Sequence, residues 1–146
     1  MPLDLVGILK AASGSPQRWE KLDLSIWQAI QEAGGKRWRK GDARIGSWRL
    51  LVGIASYSEP DLELAERLIK LPHVPDHVIE FFNVLDIKDM QGFEDYIPGV
   101  GNVWGTPVVG LWRDGIIERA AHGADARRLL QGLFPEGDQS DTRRDR

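Results

Sequence analysis

The chain has 146 residues, which predicts a single domain able to bury a core of its own. Its 42% hydrophobic and 28% charged content is that of a water-soluble globular fold, and a net charge of −3 gives no ground for general polyanion binding. The sequence has no cysteine, which excludes disulfides, thiolate metal sites and thiol catalysis together.

From the N-terminus, Met1 to Lys10 has neither a basic leader nor a long apolar run, so no signal peptide and no membrane span are expected and the cytoplasm is the default compartment. Asp4 can cap a short helix with Leu5, Ile8 and Leu9 on one side, and Ala12 to Pro16 reads as a turn. Trp19 to Ala33 is the next helical stretch. Ser25 is its candidate cap, Ile26, Trp27, Ile30 and Ala33 are its apolar positions, and Gly34-Gly35 ends it. Residues 36–49 carry six basic side chains and one acidic, interleaved with Trp38 and Trp48. Lys36, Arg37, Arg39, Lys40 and Arg44 are therefore candidates for binding an anion, phosphate or single-stranded nucleic acid. The plainer reading is a solvated loop whose indoles cover the edge of the core, because residues 53–99 carry ten acidic and three basic side chains and the chain as a whole does not share the positive charge.

Leu50 to Ala55 is an apolar run suited to a strand covered on both faces. After it, Pro60 fits the first turn of a helix, and Glu59, Asp61 and Glu63 fit its positive end. Ala65, Leu68 and Ile69 line that helix and Leu71-Pro72 stops it. His73 and His77 have the spacing of a metal pair, but Pro75 between them argues against a helix that would give them one face, so surface histidines on a loop are expected and no metal site is assigned. Val78 to Ile87 reads as a strand and Lys88 to Ile97 as a helix. Gly99-x-Gly101 invites a phosphate-loop reading, yet no strand leads into it and no helix or lysine follows. Trp104 is then the aromatic of a flexible loop. Pro107 must begin its strand, since it has no N–H to give a ladder. It is a candidate cis peptide, although only about 5% of X-Pro bonds in folded proteins are cis. Asp114-Gly115 between two apolar runs is a hairpin signal. Ala126, Leu129, Leu130 and Leu133 stripe a last helix, and residues 135–146 form a polar tail expected to be disordered.

The series Thr106-Pro107, strand, Asp114-Gly115, strand, Gly123-Ala124, amphipathic helix resembles the C-terminal half of the thioredoxin fold. Upstream, Tyr57 stands where that superfamily has the Trp before its redox motif. Ser58 and Asp61 stand where it has two cysteines, and Pro60 where it has the proline between them. The likeness covers residues 48 to 134. It implies an α/β fold with a central mixed sheet flanked by helices, a cis peptide at Thr106-Pro107, and a single domain over 1–134 with an N-terminal helical extension over about 1–22. The superfamily also keeps a buried Asp six residues before its first cysteine, where this chain has Val52. The resemblance thus implies the scaffold without disulfide exchange, which needs two thiols.

Two functions follow from that likeness. The first is a protein-binding, chaperone or assembly module, with no cofactor. It would hold another protein or a peptide by strand addition on the face formed by Tyr57, Ser58, Glu59, Pro60, Asp61, Trp104, Thr106 and Pro107. Edge contacts of such a sheet could also make a homo-oligomer. The second is a glutathione-transferase-like or other small-ligand enzyme using the Tyr57 or Ser58 hydroxyl. The missing helical second domain and the lack of a base beside Ser58 count against it.

Overall fold

The computed structural model describes residues 3–12 and 19–135. The turn expected around 12–16 lies, from residue 13 on, outside the described residues, as does the tail from 136. The described part is a mixed α/β arrangement of five helices and a five-stranded mixed sheet.

Helix α1 (Leu5–Ala12) is capped by Asp4, whose Oδ1 accepts the Gly7 N–H at 2.9 Å. Helix α2 spans Trp19–Glu32. Ser25, expected as its cap, is an exposed residue well inside it. The apolar stripe explains the difference: Leu22, Ile26, Trp27 and Ile30 are all buried on one side, and that stripe carries the helix back past Ser25. Gly34 at φ 97° ends α2, and the Gly35 N–H reaches back to the Ile30 carbonyl at 2.8 Å.

The sheet comprises β1 (Lys36–Arg37), β2 (Trp48–Ile54), β3 (His77–Asn83), β4 (Val108–Arg113) and β5 (Ile116–His122), in the order β1-β3-β2-β4-β5. β1, β3 and β2 run parallel, and β4 is antiparallel to both β2 and β5. Helix α3 (Glu59–Ile69) connects β2 to β3, α4 (Met90–Tyr96) lies between β3 and β4, and α5 (Gly123–Leu133) follows β5.

Strand alternation divides the core in two. Leu50, Val52 and Ile54 of β2 join Phe81, Val109 and Leu111 under α1, α2, α3 and α5. Leu51 and Ala55 join Phe82, Val108 and Trp112 on the opposite face, beneath Trp38, Tyr96, Ile97, Val100 and Val103. Each fully buried large side chain here contributes about 1.5–3 kcal/mol. Gly53 sits beneath the Phe82 ring, where an added Cβ would lie 2.2 Å from the ring's Cζ, so any side chain here would have to displace that buried ring.

Several boundaries differ from the sequence expectations; His77, expected on a loop, begins β3. The strand expected over 78–87 ends at Asn83, and Val84–Asp86 form a 3-10 turn. The Asn83 side chain causes the break by accepting the Leu85 N–H at 3.0 Å. The helix expected over 88–97 begins at Met90 because Asp89 caps it through the Gly92 N–H. Residues 36–37, read as part of a loop, form the edge strand β1, and the Trp38 N–H bonds the Phe81 carbonyl at 2.7 Å.

The hairpin turns at Asp114 (φ 53°) and Gly115 (φ 81°). Both central residues with positive φ identify a type I′ turn, whose twist matches the strands it joins. The Thr106–Pro107 peptide bond is cis. Among the described residues no helix is long and apolar enough to cross a membrane.

Candidate functional site

The C-terminal ends of the parallel strands carry the turn from β2 into α3, and the start of β4 lies beside it. Tyr57 is exposed in that turn, with its ring edge-on to the exposed Trp19 at 6.4 Å. The Ser58 N–H bonds the Ala55 carbonyl, and the Ser58 Oγ accepts the Asp61 N–H at 3.4 Å as the cap of α3. Pro60 occupies the first turn of that helix, where a missing N–H costs nothing. Glu59 stands 4.0 Å from Lys10 on the surface.

Asp61 is fully buried. Its Oδ2 accepts the Ala55 N–H at 2.9 Å, and its Oδ1 pairs with Arg127 Nη2 at 2.9 Å. The same Arg127 nitrogen reaches the Thr106 carbonyl at 3.5 Å. One carboxylate therefore ties the end of β2, the last helix and the cis-proline segment together. Pro107 is buried and Thr106 half-buried. Trp104 projects with 80% of its surface exposed, and its N–H faces His122 Nδ1 at 3.4 Å.

Ser58, Asp61, Thr106 and Pro107 thus belong to one constellation, with Tyr57 and Trp104 on the two segments that approach it. The Ser58 hydroxyl is engaged as a helix cap, and the carboxylate three residues on is held by Ala55 and Arg127. Neither is arranged as a nucleophile and base pair. Arg127 was not anticipated from sequence. It flanks the apolar stripe of α5, and nothing local distinguishes it from Arg128, which pairs with Asp125. A second polar group was also missed: Asp23 of α2 accepts the Ser56 Oγ at 2.6 Å and the Asn83 Nδ2 at 2.8 Å, linking α2 to the ends of β2 and β3. The signal available was a Ser closing one apolar run, Leu50 to Ala55, and an Asn interrupting the next between Phe82 and Val84.

The basic candidates of residues 36–44 are spread over several environments. Arg37 pairs with Asp86 at 3.0 Å and covers the Trp27 ring at 4.7 Å. Lys40 pairs with Asp95 at 3.1 Å. Arg44 lies over the Trp38 and Trp112 rings, at 5.4 and 5.1 Å. Lys36 and Arg39 are exposed. Arg49 is buried, paired with Glu80 at 2.9 Å and sandwiched by the same two indoles. Burial pushes its guanidinium below the ordinary arginine range, which Glu80 partly offsets.

The Gly99-x-Gly101 amides are already occupied by an anion of the chain. The Gly99 and Gly101 N–H groups donate to Glu94 Oε1 and Oε2 at 3.1 and 2.7 Å. Those two bonds, Gly101 first, hold the Glu94 carboxyl below the usual carboxylate range. His73 and His77 are exposed, His77 stacks on Trp48 at 5.0 Å, and among the described residues no cluster of three potential metal ligands forms.

No protein-family model matches this chain, and no curated protein is significantly similar to it.

Proposed function

We propose that the chain is a cysteine-free, redox-inactive thioredoxin-like domain that binds an extended segment of another protein beside Thr106 and Pro107. The strand order β1-β3-β2-β4-β5, with the start of α3 tied through Asp61 and Arg127 to the Thr106 carbonyl before a cis proline, supports the scaffold. The observation that carries the function is the exposure of large aromatics on the segments at that end. Trp19 and Tyr57 touch one another, and Trp104 leads into Thr106, with exposures of 65%, 54% and 80%. Large aromatics left in water at one end of a sheet are anchors in search of a partner. Asp61 and Arg127 hold the segment between them in place, so the surface is preorganised for contact.

The test is photo-crosslinking in the native cell extract, with benzoylphenylalanine at position 57, 104 or 116. Positions 57 and 104 flank the proposed face, and Ile116 is exposed on the hairpin at the opposite end. One protein captured at 57 and 104, absent at 116 and lost when Thr106→Arg is added to a folded chain, supports the reading. The same set captured at all three positions refutes it.

A further inference from the structure

At the end of the sheet opposite Thr106 and Pro107, two arginines share two indoles. Arg49, the second residue of β2, lies beside Trp112 of β4 in register, and its Cζ is 4.7 Å from the Trp112 ring centre and 5.1 Å from that of Trp38. The Arg44 Cζ stands over the same rings, at 5.1 and 5.4 Å. The Trp38 indole N–H donates to the Ala43 carbonyl at 3.2 Å, which seats Arg44 there. Arg49 is 2% exposed and Arg44 is exposed, so Arg49 is the inner member of the stack and Arg44 the outer. Glu80 accepts from the Arg49 Nε at 2.9 Å, yet Nη1 and Nη2 are both buried with no hydrogen-bond partner among the described residues. Buried charged donors are ordinarily paired. The indoles cannot serve these two, because they meet the face of the guanidinium while its N–H groups point out along the edge. Lys36 pairs in register with Glu80 and so shares this face of the sheet. Three cations thus stand against the one carboxylate of Glu80. Asp95, whose carbonyl meets Arg44 Nη2 at 3.5 Å, has its own carboxylate engaged by Lys40 and Gln91. Burial, and after it the Arg44 charge, push the Arg49 guanidinium down, while Glu80 works against both.

We propose that Arg44 and Arg49 together bind a phosphate group, free or at the end of a larger molecule. Phosphate oxygens accept hydrogen bonds along the edge of a guanidinium, where the two open Arg49 nitrogens lie, and a second guanidinium can take the remaining oxygens. Glu80 balances Arg49, which leaves the charges of Arg44 and Lys36. A phosphate carries about −1.5 to −2 at neutral pH and matches them, whereas a carboxylate would balance only half. Arg44 controls entry. It is exposed, and its bond to the Asp95 carbonyl is long, so its side chain can move aside and close again over the bound oxygens. The site is independent of the Thr106 and Pro107 face and stands whether or not that face binds a protein.

The test titrates the full chain with inorganic phosphate, glycerol 3-phosphate and acetate in turn, at neutral pH and at an ionic strength held constant with sodium chloride. Binding is followed by ¹H–¹⁵N NMR at the Trp38 and Trp112 indoles. The expected result is a saturable shift of both indoles with at least one phosphate, about tenfold tighter than with acetate. The tighter of the two phosphates distinguishes a free ion from a phosphate ester. Arg44→Gln, an exposed change, should weaken phosphate about fivefold, and Arg44→Lys, which keeps the charge and loses the fork, should weaken it as well. Arg39→Gln, exposed on the same loop, should leave the titration unaltered. No saturable shift at these indoles, an equal response to acetate, or unaltered binding in both Arg44 variants overturns the proposal. So does an Arg39→Gln loss as large as that of Arg44→Gln, which would mean diffuse attraction to a basic loop.

Discussion

Removing Arg127 tests whether the Asp61 carboxylate organises the end of the sheet. Asp61 is 0% exposed and Arg127 40% exposed. Breaking a fully buried ion pair at one partner costs about 3–5 kcal/mol, and breaking an exposed one about 0–1 kcal/mol. This pair lies between those limits, because the Ala55 N–H still serves Asp61 and water can reach it along the path that Arg127 vacates. Arg127→Met should therefore cost about 2 kcal/mol. For a chain of this length that is a fall in Tm of roughly 4–8 °C. Asp61→Asn keeps an oxygen for Ala55 but removes the charge that Arg127 faces. In a double-mutant cycle read by urea unfolding, the two changes should couple by about 1–2 kcal/mol. An additive cycle, or an Arg127→Met chain that melts with the wild type, would refute the clamp and with it the preorganised Thr106 segment.

Three further outcomes follow from the same geometry. Arg49→Met leaves Glu80 buried without its cation and should destabilise by about 3–5 kcal/mol, whereas Arg49→Met with Glu80→Met should recover most of that; chemical unfolding of both variants decides it. Glu94 has a folded-state carboxyl below the usual range, so its contribution is present above the unfolded value of about 4.3 and is lost as pH falls through the folded value. Wild type should therefore exceed Glu94→Gln in Tm at pH 7, and the gap should close below about pH 4.3; a constant gap contradicts the role given to the Gly99 and Gly101 amides. Ser58→Cys with Asp61→Cys should yield a chain that reduces insulin disulfides measurably. A folded double variant with two free thiols and no such activity speaks against setting these positions beside the cysteines of the redox motif.

What the sequence revealed of this molecule depended on how local each cause was. β2, α3 and the hairpin are written in adjacent residues: an unbroken apolar run, a Ser-Glu-Pro-Asp helix start, and Asp-Gly between two strands. β1 is not, because Lys36 and Arg37 carry no strand pattern and become a strand only through their pairing with Glu80 and Phe81. The partner of Asp61 lies 66 residues away, beyond any periodicity argument. Arg49 belongs by composition to the basic stretch 36–49, although it is the second residue of β2, the most deeply buried strand of the sheet. A charge at such a position has to be paired. Glu80, within the otherwise apolar stretch from Val78 to Phe82, is the complementary anomaly. Two isolated opposite charges in two runs that both read as buried strands are a contact signal, and recognising it would have set β2 beside β3. Paired with Glu80 inside the sheet, Arg49 adds no charge to the basic loop, which is less positive than composition suggests.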